Sequence, residues 1–87
     1  MKIKNAAEVE MKRMDEIFNN LSVKKDKRAK EFYSFAENYF NDGKYFFEKE
    51  KFIESFEAFI ISWAYLDIGI KLELFVPDKK IKKYFTS

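Results

Sequence analysis

The sequence predicts an all-α protein, a three-helix up-and-down antiparallel bundle with a short C-terminal helical turn. The 87 residues include only two glycines and one proline, whereas small strand-rich folds need many turns, which favour these residues. Apolar residues also recur three and four positions apart along three successive stretches, as on one face of an α-helix. We therefore expect a single helical-bundle domain over 1-87, with helices at about 6-21, 26-49 and 52-75 and a basic tail over 76-87.

The first predicted helix begins near Asn5. The segment "NAAE" places Asn5 at the N-cap and Glu8 three residues later, which is a capping-box arrangement. The apolar stripe runs from Ile3 to Leu21 and breaks at "NNLSVKKDK", where Asn and Ser favour a connection.

A weakly marked break separates the second and third predicted helices. The segment "EKEK" is polar, and the apolar stripe restarts in a new phase at Phe52. We predict a tight turn at 49-51. The competing interpretation is one continuous helix of about 48 residues, which would bury its apolar faces only by oligomerising.

The turn fixes which residues of these two helices face each other. Their numbers should sum to about 100 in an antiparallel pair, so Gly43 is expected near Phe56 and Phe59, and Ala36 near Trp63. The third helix should stop before Pro77, because the residue before a proline avoids the α region. Asp78 then caps the predicted final turn, "KKIKKYF".

The third helix carries a second apolar stripe on the side opposite Trp63. A helix at the side of a bundle needs only one apolar face, so we expect something to cover the second. This outer stripe, with Gly69 beside it, comprises Ala58, Ile61, Tyr65, Ile68 and Leu72. At Gly69 we predict close approach of another backbone.

Several different structures could cover the outer stripe. A second copy of the chain could form a two-fold dimer, a different protein could dock there, or the C-terminal segment with Ile81, Tyr84 and Phe85 could fold back over it. A wide bundle face with scattered exposed apolar residues would also account for the pattern. We predict protein–protein contact, either self-association or an adapter role, through this stripe.

Charge is segregated along the chain. Residues 1-30 carry nine Lys/Arg and five Asp/Glu, residues 31-75 carry four and nine, and residues 76-87 carry four and one. The bundle topology brings the connection after the first helix and the segment after the third to the same end. This predicted basic end comprises Lys24, Lys25, Lys27, Arg28, Lys30, Lys79, Lys80, Lys82 and Lys83.

The basic end supports a second functional hypothesis, a nucleic-acid or anion-binding module. Lys and Arg contact phosphates, and the pair Tyr84 and Phe85 could add base stacking. The alternative is a solvated loop with a flexible basic tail, which is common in lysine-rich helical proteins.

The composition argues against an enzyme. The chain has no histidine and no cysteine, so zinc sites, Ser-His-Asp triads and Cys-His dyads cannot be built. The acids Glu54, Glu57 and Asp67 do not converge on one helix face. We predict no catalytic residue, no metal, no cofactor and no small-molecule substrate. No apolar run is long enough to span a membrane, and we expect a cytoplasmic protein.

One acid interrupts the most apolar segment, "AYLDIGIKLELF". Asp67 lies near the core face, where a carboxylate must find partners. Lys71 follows four residues later in the favourable acid-then-base order, and the register places the Tyr33 hydroxyl close by. We predict that Asp67, Tyr33 and Lys71 form a polar clamp that fixes the helix register.

The segment "YFFEKEKFIESFEAFIISWAYLDIGIKLELF" resembles the archaeal domain of unknown function 357 family. The resemblance covers about residues 29-75 and implies a small up-and-down helical bundle, with no established activity. The family's closing signature, Leu-Asp-x-Gly-x-x-Leu-x-Leu, is present as Leu66, Asp67, Gly69, Leu72 and Leu74.

Two positions depart from the pattern of that family. The family often has glycine in the inter-helix turn, where this chain has Glu50, and again near the end of the last helix, where it has Glu73. We interpret Glu73 as a tolerated surface position.

Overall fold

Three helices make up most of the molecule, and they form an all-α antiparallel bundle, which confirms the predicted fold class. The computed structural model describes residues 2-85; residues 1, 86 and 87, which the predicted domain and tail included, lie outside the described residues. The helices are α1 (Lys2–Phe18), α2 (Lys27–Glu48) and α3 (Phe52–Lys71). Two short strands, β1 (Leu21–Val23) and β2 (Phe75–Pro77), and a C-terminal 3-10 helix (Lys79–Tyr84) complete the chain.

Three helix ends differ from the prediction. α1 begins at Lys2 and ends at Phe18, so Asn5 lies inside the helix and does not cap it. The apolar stripe explains the earlier start, because an extended α1 half-buries Ile3. α3 ends at Lys71, since Glu73 has a φ of 61° and turns the chain out of the helix.

The turn between α2 and α3 is confirmed at residues 49-51. Glu50 has a φ of 60°, so it takes the left-handed conformation that usually falls to glycine after a helix. The amide of Lys51 donates to the Phe46 carbonyl at 2.9 Å, and that of Glu50 donates to the Phe47 carbonyl at 3.0 Å. These two bonds define a Schellman motif, and equivalent bonds surround Glu73 at the end of α3, from Leu74 to Gly69 and from Glu73 to Ile70.

The predicted register of α2 against α3 is confirmed. The Phe40 and Phe59 rings lie 5.7 Å apart, and Ser55 and Ser62 donate to the carbonyls of Gly43 and Ala36. The numbers in these three pairs sum to 98 or 99. Gly43 faces Phe59 as predicted, because a Cβ at Gly43 would overlap that ring.

A seam of small buried residues runs along both helices at intervals of seven. All six are buried, and small side chains allow two helix backbones to approach closely. On α2 they are Ala29, Ala36 and Gly43, and on α3 they are Ser55, Ser62 and Gly69.

An antiparallel two-stranded ladder closes the end of the bundle where α1 and α3 stop. Its register pairs Leu21 with Pro77, Ser22 with Val76 and Val23 with Phe75. The prediction missed it and assigned its residues to helix, connection and tail. Phe75 is 2 % exposed, so this strand brings a large ring into the core.

The C-terminal residues 78-85 pack against α1 and α3. Asp78 caps its 3-10 helix as predicted, accepting from the Lys80 amide at 2.9 Å. Ile81 is fully buried, and the Trp63 indole donates to the Tyr84 carbonyl at 3.0 Å. The Phe85 ring stacks on Trp63 with centroids 5.8 Å apart. This segment therefore covers the Trp63 side of α3, and the idea that it covers the outer stripe is wrong.

Candidate interaction surfaces

The structure divides the outer stripe into a buried part and an exposed part. Ala58 is only 5 % exposed, and Tyr65 is half-buried against aromatic rings of α2. The aliphatic side chains remain open: Ile61, Ile68 and Leu72 are 41 %, 48 % and 46 % exposed. Three of the predicted residues therefore present apolar surface along one side of α3.

Gly69 does not belong to that exposed surface. It is buried, and a Cβ at this position would overlap the ring of Phe75. The predicted close approach of another backbone is wrong, since the missing side chain makes room for an aromatic ring that returns on β2. The short turn at Glu73 is what carries Phe75 back to this point.

Phe35 extends the exposed surface onto α2. Its ring is 48 % exposed and stacks on Tyr65 at 5.5 Å. Tyr39 also stacks on the Tyr65 ring at 5.9 Å, and Phe32 meets that ring edge-on at 6.0 Å. We call the resulting apolar surface the outer face; it comprises Phe35, Ile61, Tyr65, Ile68 and Leu72.

Phe35 was not among the residues predicted for an interaction surface. It lies at the margin of the apolar stripe of α2, and that position was the available signal. Its contact with Tyr65 follows from the α2–α3 register, because the two residue numbers sum to 100.

The predicted polar clamp is only partly present. The Lys71 ammonium lies 3.0 Å from Asp67 Oδ2, and the Asp67 side chain is 13 % exposed. Among the described residues no hydrogen bond joins Tyr33 to Asp67; the Tyr33 ring packs edge-on against Phe18 and Phe75 at 5.6 and 6.3 Å. Burial, followed by the charge of Glu37, raises the pKa of the Tyr33 hydroxyl.

Two serines make the polar contacts between α2 and α3 that the clamp was expected to make. Ser55 Oγ donates to the Gly43 carbonyl at 2.7 Å, and Ser62 Oγ donates to the Ala36 carbonyl at 2.6 Å. Both side chains are fully buried. The signal in the sequence was two serines seven residues apart on a face otherwise rich in large apolar side chains.

The predicted basic end is assembled by the β1–β2 ladder. All nine of its Lys and Arg residues are exposed. They form two clusters that flank the ladder: the first cluster, on the α2 side, is Lys24, Lys25, Lys27, Arg28 and Lys30, and the second cluster, after β2, is Lys79, Lys80, Lys82 and Lys83. Within residues 2-85 the ion pairs are Arg13 with Glu10 and Lys71 with Asp67, so none of the nine is neutralised by a salt bridge.

The aromatic residues near the second cluster already have partners. The Tyr84 hydroxyl donates to Glu16 at 2.5 Å, and Arg13 lies over its ring at 5.5 Å. Phe85 is stacked on Trp63. Both rings that could have stacked on bases therefore already pack against residues of this chain.

Acidic residues do not gather into a site in the described part of the chain. Within residues 2-85 no group of three or more Asp or Glu side chains is placed to hold a metal ion. None of the helices described is both long enough and apolar enough to cross a membrane.

The closing signature residues lie where the chain turns back at the end of α3. Leu66 and Leu74 enter the core, and Gly69 receives the ring of Phe75. A family model described as a protein of unknown function (DUF357) matches residues 5-75. The chain belongs to the DUF357 family. The match extends the predicted resemblance through α1, and it ends at Phe75, so the C-terminal 3-10 helix follows the DUF357 region.

A solved structure shows the same DUF357 fold. A crystal structure of a DUF357 protein from Archaeoglobus fulgidus is similar over 87 % of this chain and 93 % of that chain, with a TM-score of 0.76. The two sequences are 22 % identical, so the likeness speaks for the fold alone. No protein with curated annotation matches the chain.

Proposed function

We propose that this DUF357 protein acts through protein–protein contact and that the outer face is a surface of self-association. The observation that carries the proposal is the row formed by Ile61, Ile68 and Leu72, each between 41 % and 48 % exposed on one side of α3. Contiguous exposed apolar surface is typical of association sites, whereas single exposed apolar residues are common everywhere. Phe35 adds an aromatic ring to this row.

The charges beside the row favour a second copy of the chain as the occupant. Glu57 and Lys71 are exposed, and they lie on the same edge of the row, two heptads apart on α3. In an antiparallel pair of α3 helices related by a two-fold axis, equivalent edges face each other. Glu57 of each copy then lies near the partner subunit's Lys71, which gives two ion pairs by symmetry.

The internal pairing of Lys71 is compatible with this arrangement. Its side chain is 56 % exposed while it contacts Asp67, and an ammonium group has three donors. Lys71 can therefore keep Asp67 as one acceptor and take Glu57 of the partner subunit as another.

The same symmetry sets the apolar contacts. With the axis near Tyr65, facing residues have numbers that sum to about 130. Ile61 then packs near Ile68 of the partner subunit. Tyr65, held by rings of α2, lies at the centre.

We include no catalytic role in the proposal. The chain contains no histidine or cysteine, and the three acids of α3 are either exposed to solvent or paired with a lysine. Glu54 and Glu57 are exposed to solvent, and Asp67 is paired with Lys71.

Light scattering over a range of concentrations tests the proposal on three proteins. The wild type should approach twice the chain mass as concentration rises. Ile61→Glu with Ile68→Glu should weaken association by at least tenfold, because burying a charge in place of an isoleucine costs more than about 1.4 kcal/mol. Circular dichroism should show unchanged helicity, since both side chains point to solvent.

Ile53→Glu is the matched control. Ile53 is also on α3 and is 61 % exposed, but by helical angle it lies about 80° from the row. It should dimerise like the wild type. A chain that stays monomeric at every concentration, or a control that loses association as the double variant does, would contradict the proposal.

A further inference from the structure

We infer that the basic end binds the phosphate backbone of a nucleic-acid duplex, with its two clusters on the two strands that border one groove. These basic residues do not belong to the outer face, and duplex binding can be tested whether or not the protein self-associates. The starting observation is the β1–β2 ladder, which joins the two clusters and also holds them apart.

The ladder sets the separation of the clusters. Beyond its paired residues, the Lys24 amide donates to the Leu74 carbonyl at 3.1 Å at one end, and the Asp78 amide donates to the Asn20 carbonyl at 2.8 Å at the other. These two rungs are four residues apart along the strand, or about 14 Å at roughly 3.4 Å per residue. The first cluster begins at one rung and the second cluster at the other.

This separation fits a duplex. The major groove of B-DNA is about 12 Å wide between its flanking phosphate strands. The two clusters begin about 14 Å apart along the ladder, and their long flexible side chains can each reach one of these strands. A small anion would occupy only one cluster and would leave the other without a partner.

The surface between the clusters is small and uncharged. The exposed pair at the centre of the ladder is Ser22 and Val76. The neighbouring pairs turn inward, since Val23 is half-buried and Phe75 is buried. The central pair itself carries neither an acidic side chain, which would repel phosphates, nor a bulky ring, which would block a duplex.

The clusters retain their positive charge. Two acids lie beside the clustered cations, and both carboxylates are engaged as caps: Asp26 accepts from the Arg28 and Ala29 amides at 2.7 and 3.3 Å, and Asp78 accepts from the Lys80 amide at 2.9 Å. The nine Lys and Arg side chains are in no salt bridge within residues 2-85. Exposed cations of this kind bind phosphates without reading sequence.

The aromatic contacts favour a duplex over a single strand. Proteins that bind single strands stack bases on free aromatic rings. Here Tyr84 is bonded to Glu16 and covered by Arg13, and Phe85 is stacked on Trp63. Because these rings already pack against residues of this chain, we expect binding to rely mainly on phosphates, which a duplex presents at twice the density of a single strand.

Fluorescence anisotropy with a labelled 20-base-pair duplex, and with one of its strands alone, tests the inference between 50 and 200 mM salt. The wild type should bind the duplex more tightly than the strand, and affinity should fall by about 10³-fold or more over this range if six or more phosphates are contacted. Lys24→Glu with Lys25→Glu in the first cluster, and Lys79→Glu with Lys80→Glu in the second, should each lower affinity at least tenfold. Each should also reduce the slope of log affinity against log salt by about two.

Lys49→Glu with Lys51→Glu is the matched control, because it changes net charge equally at the opposite end of the bundle. It should change affinity less than threefold. The inference is overturned if the duplex does not bind at 50 mM salt, if the control loses as much affinity as a cluster variant, or if only one cluster matters. Tighter binding of the single strand, or equal competition by poly-glutamate, would also overturn it. Circular dichroism of every variant shows whether a loss of binding reflects a loss of fold.

Discussion

At the scale of single residues, two glutamates hold positions where glycine would be less strained. Glu50 and Glu73 have φ values of 60° and 61°, and each is the left-handed residue of a Schellman motif. These are the two positions at which the family resemblance implied glycine. The interpretation of Glu73 as an ordinary tolerated surface position was incomplete: it is exposed, but its backbone conformation ends α3.

Replacing either glutamate with glycine should stabilise the protein. A left-handed L-residue costs roughly 1–2 kcal/mol, and the greater backbone freedom of glycine in the unfolded chain offsets about 0.5–1 kcal/mol of that. We expect Glu50→Gly and Glu73→Gly each to raise the free energy of unfolding by about 0.5–1 kcal/mol in urea titrations. Glu37→Gly, an exposed position inside α2, is the control and should lower it by about 1 kcal/mol. A Glu50→Gly protein less stable than the wild type would refute this account of the turn.

Tyr84 gives a second prediction at this scale, for alkaline pH. Its hydrogen bond to Glu16, followed by burial and the Glu16 charge, raises the pKa of the Tyr84 hydroxyl, and Arg13 opposes part of the effect. Because the pKa in the folded protein lies above the ordinary value of about 10, the hydrogen bond contributes stability below pH 10. That contribution is lost as pH rises through the folded-state pKa.

The comparison of wild type with Tyr84→Phe over pH 7 to 11 checks this. Their difference in free energy of unfolding should be constant up to about pH 10 and then shrink. Tyr45→Phe, at a ring that is 56 % exposed, serves as control for loss of a hydroxyl. If the difference in free energy of unfolding between wild type and Tyr84→Phe grew above pH 10, the pKa of Tyr84 would not be raised in the folded protein.

At the scale of the elements, two glycines mark where large rings enter the space between helices. Gly43 accommodates Phe59 across the α2–α3 seam, and Gly69 accommodates Phe75 as the chain returns on β2. The rest of the seam is Ala and Ser, and the two serines bond to carbonyls of the opposite helix. These contacts position α3 and so determine which of its residues stay exposed.

Gly69→Ala should therefore destabilise the protein although alanine favours helix. The clash with Phe75 should cost about 1–3 kcal/mol, which outweighs the roughly 1 kcal/mol that alanine contributes by helix propensity. Chemical denaturation measures the net loss. Ser34→Ala, at an exposed position of α2, is the control and should not destabilise.

A double variant separates a clash from a general loss of helix. Phe75→Leu removes the ring, so Gly69→Ala should cost less in that background, and the two changes should not be additive. Equal costs of Gly69→Ala with and without Phe75 would rule out the ring as the reason for the glycine.

The three helices and the register of α2 against α3 were predictable from sequence, because apolar residues repeat over many turns. The β1–β2 ladder was not, since three-residue strands such as "LSV" are too short to show a period. The predicted start of α1 after Asn5 was wrong for a different reason. A capping-box pattern is a local signal, whereas the burial of Ile3 that extends the helix is a tertiary effect. The serine contacts were missed because a buried serine and an exposed one look alike in sequence.

At the scale of the whole molecule, the two candidate surfaces lie on different parts of the bundle and adjoin where the α2–α3 register places Leu72 opposite Lys27 and Arg28. The outer face lies along the side of the α2–α3 pair, and the basic end lies across the ladder that closes one end of the bundle.

The sequence predicted the members of these surfaces better than their shape. All nine basic residues are exposed at the predicted end, but their division into two clusters depends on the ladder. Ile61, Ile68 and Leu72 are exposed as the outer stripe required. Gly69 and Ala58 are buried instead of exposed, because Phe75 packs on Gly69 and Ala58 is covered in the folded bundle. Local sequence patterns do not reveal such tertiary contacts.

Spin-label distances between copies test self-association through the outer face most directly. The chain has no cysteine, so Ile53→Cys and Ala64→Cys each carry one label, at the start of α3 away from the row and near the centre of α3. In an antiparallel α3 pair centred on Tyr65, labels at 53 should lie roughly 37 Å apart and labels at 64 roughly 10 Å apart, from 1.5 Å per residue and a helix spacing of 8–10 Å. Equal distances at the two positions, or no distance between copies at any concentration, would contradict the account.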